Sequence, residues 1–219
     1  MLRTSKTDKY IIVNANGVRE TSVVQYIAAN PHEKEYIYVG PAHRYTQVLL
    51  AKACKIHKRK LSIFTPPVEG IFYPTMAKSA YPQLELHEFG NLAEAINASN
   101  AYKLANPDAI FWVNQHIPHL AKLVNLPAMK TCWITFGTGP MLSALLLANP
   151  QTKFLCVSQR HQIDQEDYQE YWDRIVPYYA HMPKPMSYAS NSYEGKMWIY
   201  ISEFGQQGDY IWSTDSPRV

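Results

Sequence analysis

The chain has 219 residues, 47% of them hydrophobic, enough to bury a core as one α/β domain or two small lobes of an ordinary globular protein. Its net charge of +3 neither demands a nucleic-acid partner nor opposes one. No run approaches the roughly 18 apolar residues of a membrane span, and the opening MLRTSKTDKY lacks a signal peptide's apolar core, so a cytoplasmic location is expected.

In chain order, Tyr10 to Val13 reads as a short buried strand. A turn over Asn14 to Gly17 follows, then a helix from about Glu20 to Ala29 with Val23, Val24 and Ile27 on one face. Tyr36 to Val39 is the next strand, Tyr45 to His57 carries apolar residues at helical intervals, and Leu61 to Phe64 is a third strand. Three strand-then-helix steps in about 55 residues point to a parallel sheet wrapped by crossover helices. Thr65 to Ala80 is looser, with three prolines, a glycine and room for one short helix before a strand at Leu84 to His87. Asn91 caps a long helix, Leu92 to Leu104, with Ile96 and Leu104 on its buried side. Ala109 to Val113 reads as a strand and His116 to Val124 as a helix.

Thr131 to Ser143, TCWITFGTGPMLS, is the most informative stretch. A β-branched and aromatic run meets Gly137-Thr138-Gly139, and a helical pattern begins straight after Pro140. Glycine lets backbone approach a ligand closely, and the free N–H groups of a first helical turn attract a phosphate; the alternative is a βα connection that binds nothing. Lys153 to Val157 is a further strand, Glu166 to Ile175 a polar-aromatic helix, and Pro177 to Ser192 a loop. Tyr193 to Phe204 is a helix capped by Ser192, with Met197, Trp198 and Ile201 inward, and Asp209 to Trp212 enters a last strand.

Individual residues leave alternatives open. His43 lies between a strand end and a helix, where open α/β sheets place ligands, so it is a candidate general base or anion ligand, or a surface histidine. Arg19 and Arg44 can pair with a phosphate or carboxylate, or be solvated or ion-paired. Glu20 can serve as acid or base, or simply complement a helix dipole. The three-residue spacing of His116 and His119 has no cysteine or carboxylate at ligand spacing beside it, and no metal is expected. The basic run Lys55 to Lys60 suits a helix C-terminus as well as nucleic-acid phosphate. Cys54, Cys132 and Cys156 sit in apolar surroundings as expected free thiols.

Tyr36 to Pro66, Trp133 to Gln159 and Ile211 to Asp215, in order and spacing, resemble the fold type II pyridoxal-phosphate (PLP) enzymes, the superfamily of tryptophan synthase β and aminocyclopropane-carboxylate deaminase. The resemblance implies a two-lobed α/β protein of mostly parallel, three-layer αβα sheets. The first lobe would span about residues 20–110, and the second about residues 111–219 with the N-terminal strand. It implies a phosphate-bearing ligand, PLP, held between the lobes by Gly137, Thr138 and Gly139, with Ser213 or Thr214 at the pyridine ring, Arg44 as a further cofactor-binding residue and His43 beside the reacting centre. A lyase, deaminase or decarboxylase acting on an amino group would follow, and a homodimer is compatible with it. The chain departs from the family at the helix start Asn16 to Thr21, which holds no lysine, and at the Ser-Asn loop, where His43 or Arg44 stands in place of the asparagine. A short, lysine-poor variant would suit a phage gene for DNA-base hypermodification, with a nucleic-acid partner, or a non-catalytic assembly subunit that keeps the fold.

Overall fold

A computed structural model describes residues 2–15, 17–67, 70, 73–126, 129–136, 139–158, 162–179 and 193–213, without the side chains of 193–196. The chain divides into two compact units, Arg19–His119 and the combination of Met1–Val18 with Leu120–Val219. Elements are numbered here in chain order.

In the unit Arg19–His119, strands β3 (Glu35–Val39), β4 (Lys60–Thr65), β5 (Glu85–Glu88) and β6 (Ile110–Phe111) form a parallel sheet in the order β5-β4-β3-β6. Alternation along β3 sends Tyr36 and Tyr38 to one face and Ile37 to the other. On the first face lie α1 (Val18–Ala29), α2 (Thr46–His57) and α3 (Tyr73–Ala80), burying Val23, Ile27, Val48, Leu50, Leu61 and Ile63. On the second lies α4 (Leu92–Ala105), with Ala95 against Ile37 and Phe64. Both faces are covered, so β3 reads as one apolar run rather than an alternating one. Lys58 closes α2 at φ 53°, its N–H donating to the Cys54 and Lys55 carbonyls, which makes the basic run the last turn and cap of that helix.

Helix α4 corrects the sequence reading of its face. Ile96 is 41% exposed and Leu104 84% exposed, while Ala95 and Ser99 are buried. Small residues let α4 approach the sheet closely, and Tyr102 from the same side reaches in to donate to Glu35 Oε1 at 2.6 Å. Asn91 does cap α4, its Oδ1 accepting the Glu94 N–H at 3.0 Å. The strand expected over Ala109 to Val113 shortens to β6; Val113 is exposed, and Asn114 at φ 68° turns the chain away.

The other unit holds a six-stranded sheet in the order β1-β2-β10-β7-β8-β9. Its strands are β1 (Arg3–Lys6), β2 (Ile11–Asn14), β7 (Thr131–Phe136), β8 (Lys153–Ser158), β9 (Ile175–Tyr179) and β10 (Tyr210–Ser213). All neighbours are parallel except β1 and β2. The mostly parallel α/β class expected from the sequence is present. Trp133, Val157 and Ile211 pack against Met197 and Ile201 of α7 (Tyr193–Phe204). Trp198, expected inward, is 40% exposed and meets Tyr10 edge-on at 6.2 Å. Two further readings change here. β1 went unseen because all four of its residues are exposed. β9 falls where a proline-containing loop was read: it is an edge strand, where Pro177 removes no ladder donor that a neighbour needs. Ser192 lies outside the described residues.

Glu166 to Arg174 forms a 3-10 helix rather than an α-helix, broken at Tyr168 (φ −129°, ψ 22°), and that break lets the Tyr168 side chain turn inward. Cys54, Cys132 and Cys156 are all buried free thiols, and burial pushes the Cys54 thiol up to about 12. Among the described residues, no helix is long and apolar enough to cross a membrane.

Candidate functional site

The β7 strand delivers the chain to the carboxyl edge of the six-stranded sheet, where α6 (Pro140–Ala148) begins. Gly137 and Thr138 lie outside the described residues. Gly139 is the N-cap of α6 at φ 87° and ψ −32°, a conformation that L side chains rarely adopt, and Pro140 occupies N1, where its missing N–H costs nothing. The Ser143 N–H donates to the Gly139 carbonyl at 3.0 Å and closes the first turn. A glycine N-cap offers no side-chain acceptor, so its own side chain takes up neither of the first-turn amides of Met141 and Leu142, which the helix dipole makes attractive to an anion.

Tyr168 supports this turn. Its hydroxyl donates to the Gly139 carbonyl at 3.4 Å, and the single Ser143 Oγ proton is shared between the Tyr168 hydroxyl at 3.5 Å and the same carbonyl at 3.3 Å. Burial raises the Tyr168 hydroxyl above its ordinary range, so it stays protonated. The ring meets Phe136 edge-on at 6.3 Å. Sequence inspection missed Tyr168; its one signal was an aromatic placed among acidic residues of a helix that could not be regular.

Ser213 ends β10, which lies directly beside β7. The pairing of Ile211 with Trp133 sets Ser213 level with Thr135, so Ser213 and Gly139 share one carboxyl edge of one sheet. Ser213 also faces Asn14 of β2, and its carbonyl accepts the Ala15 N–H at 2.8 Å. Thr214 lies outside the described residues.

The remaining candidates belong to the unit Arg19–His119. His43 and Arg44 are both exposed in the connection that follows β3. That connection is pinned by Gln47, fully buried, whose Nε2 donates to the carbonyls of Ala42 at 2.7 Å and Arg44 at 3.1 Å. Gln47 too was missed; a glutamine in the first turn of an otherwise apolar helix face was its signal. Glu20, in the first turn of α1, accepts from Lys52 Nζ at 2.9 Å, both side chains being 39% exposed. The hydrogen bond to Glu20 raises the Lys52 amine, so it stays charged. His116 stacks on Trp112 at 5.3 Å, while His119 stands edge-on to Tyr26 at 5.8 Å, so the two histidines have separate aromatic partners. Among the described residues, no group of three or more His, Cys, Asp or Glu could hold a metal ion.

No protein-family model matches the chain, and no curated protein matches it. Solved structures do. The chain is similar to Escherichia coli diaminopropionate ammonia lyase in its apo form, at 10% identity and a TM-score of 0.61, covering 94% of this chain and 78% of that one. Threonine deaminase isoform 2 from Solanum lycopersicum matches at 9% identity and 0.62, over 95% and 80% of the two chains. O-ureido-L-serine synthase matches at 11% identity and 0.63, over 97% and 86%. At these identities the likeness establishes the fold, and it is the fold of the fold type II PLP enzymes.

Proposed function

We propose that this chain, which has the fold of the fold type II PLP enzymes, binds a phosphate-bearing ligand of the PLP kind at the turn between β7 and α6 and acts on an amino-group substrate. The observation that carries the reading is Gly139: a left-handed glycine caps α6 and brings no side chain of its own to the helix's first amides. A β-carbon at that position would stand 2.5 Å from the Tyr168 hydroxyl, so the turn admits backbone only. The described half of the turn fits a phosphate, and Gly137 and Thr138 are proposed to complete it. Ser213, on the same sheet edge, is the hydroxyl we assign to the pyridine nitrogen, with Thr214 beside it in sequence.

PLP, when bound, supplies an electron sink for charge developing next to the substrate amine. The protein must supply proton transfer, and here the chain differs from its structural neighbours' superfamily: no lysine occurs between Lys9 and Lys34, and the first turn of α1 carries Arg19 and Glu20 instead. Glu20 is engaged by Lys52. His43, in the connection after β3, is the base we assign, with Arg44 beside it in the same connection as an anion contact. The lack of a lysine also favours a second reading, a binding or assembly subunit that holds the ligand without turnover.

Titrating the full chain with PLP, pyridoxal and inorganic phosphate tests the site. Saturable binding of PLP, competition by phosphate and no comparable binding of pyridoxal are expected; equal binding of pyridoxal and PLP overturns the phosphate site. Borohydride followed by mass spectrometry should leave every lysine unmodified, and a reduced adduct on a lysine refutes the lysine-free reading. Loss of amine substrate in the presence of PLP separates the enzyme from the subunit.

A further inference from the structure

The unit Arg19–His119 contains a group of buried hydrogen-bonding atoms that have no partner among the described residues. They are Nε of Arg19, the Tyr38 hydroxyl, Nε1 of Trp112, both ring nitrogens of His116 and Nδ1 of His119. They come from the first turn of α1, the end of β3, the segment leading into α5 (Ile117–Leu123) and, for His119, the first turn of α5. His116 is only 1% exposed and lies flat on Trp112 at an interplanar angle of 20°, and Tyr26 stands edge-on to both Trp112 and His119. The Tyr38 hydroxyl lies over Gly40, 2.9 Å from where a β-carbon there would stand. Arg19 stands one helical turn before Val23 of α1, which packs in the same core cluster as Tyr38 and Trp112.

The protonation states make the group rich in donors. Burial holds His116 down at about 4, so near neutral pH the ring offers one N–H and no charge. Burial pushes Tyr38 up to about 12, and it keeps its proton. Burial lowers Arg19 from its ordinary value, yet a guanidinium remains charged. Among the described residues, no carboxylate lies within ion-pair distance of Arg19. A buried donor left unpaired costs about 1–3 kcal/mol, so this arrangement calls for an acceptor.

We propose that Arg19, Tyr38 and His116 bind the carboxylate of a small organic acid. A planar carboxylate accepts two parallel bonds from a guanidinium and has lone pairs left for a hydroxyl and an imidazole N–H. One partly buried cation neutralises one negative charge, whereas a phosphate dianion would leave a charge uncompensated among neutral donors. Arg44, exposed, adds its charge at the Tyr38 hydroxyl from the solvent side, where salt screens it. None of these residues belongs to the β7–α6 turn, so this site stands or falls apart from the phosphate reading.

Histidine ring resonances of the full chain, titrated with acetate and, at matched ionic strength, with chloride or inorganic phosphate, test the proposal. Acetate should shift the His116 ring saturably while leaving exposed His32 unmoved. Arg19→Gln should abolish the shift, and Arg19→Lys should weaken acetate by about tenfold, because an ammonium lacks the paired donors. If Arg19→Gln does not fold, Tyr38→Phe reads the same site by weakening the acetate response. A His116 ring that stays unmoved by acetate, or moves equally in the folded variants, overturns the site and assigns the donors to buried water. Saturation by phosphate in place of acetate overturns the single-charge assignment.

Discussion

The hydroxyl of Tyr168 reaches the carbonyl of Gly139 at 3.4 Å and stands 2.5 Å from the point a β-carbon on Gly139 would occupy. Two costs therefore attach to a side chain at residue 139: the positive φ and the collision with the tyrosine. Gly139→Ala should destabilise the protein by about 2 kcal/mol or more, of which roughly 1–2 kcal/mol is the left-handed backbone. Tyr168→Phe removes only long hydrogen bonds and should cost under about 1 kcal/mol. The double variant should regain the collision part and keep the backbone part, so the two changes will be less than additive in urea unfolding.

Trp133 Nε1 donates to Asp209 Oδ2 at 2.9 Å, and the same oxygen accepts the Gln206 N–H at 2.9 Å. Asp209 is buried at the entry to β10, so this pair ties that strand's start to β7. Trp133→Phe removes a hydrogen bond to a carboxylate and should cost about 1.5–3 kcal/mol, with a further loss from the smaller ring. Asp209→Asn keeps an acceptor and should cost less than Asp209→Ala. Denaturant midpoints of the three variants check the order.

His116 sets an acid limit. Burial first, then the charge of Arg19 and the neighbouring His119, lower its pKa from 6.5 to about 4. Because the folded value lies below the unfolded one, the unfolded chain binds the extra proton first. The neutral ring's contribution is fully present above pH 6.5 and is lost as pH falls toward 4. The drop from 6.5 to about 4 corresponds to about 3 kcal/mol. His116→Phe, which can keep the stack on Trp112, should flatten the stability profile across that window by about this amount relative to the parent. Unfolding free energies of both proteins measured across the same pH range give the difference directly.

Local chemistry made much of the architecture readable. The apolar run at Tyr36 to Val39 was legible as a strand, and Asn91 three residues before Glu94 announced a helix start that the structure realises. The readings that failed depend on what lies across from a residue. Pro177 suggests a loop unless β9 is known to be an edge, and β1 has no apolar side to betray it. At the candidate site, the glycine and proline before α6 were legible because they answer to backbone geometry. Tyr168 was not, since a broken 3-10 helix brings it to Gly139 from 29 residues away. Arg19, Tyr38 and His116 were likewise separate residues in sequence, and only the packing of three elements makes them one group whose buried polar atoms have no partner among the described residues.

The misread face of α4 has a quantitative consequence. Periodicity assigned Ile96 and Leu104 to the core because they are large, but the sheet selects Ala95, with Ser99 also buried, because close approach of the helix to Ile37 and Phe64 leaves no room for more. Leu104→Ala should then change stability by no more than about 0.5 kcal/mol, as for other surface positions. Ala95→Leu adds three carbons where the helix meets the strands and should cost about 1–3 kcal/mol. It should also disturb Tyr102, which donates to Glu35 from the same helix, so Ala95→Leu and Tyr102→Phe should couple, whereas Leu104→Ala and Tyr102→Phe should add. A Leu104→Ala loss near that of a buried leucine would return α4 to the face that periodicity assigned it.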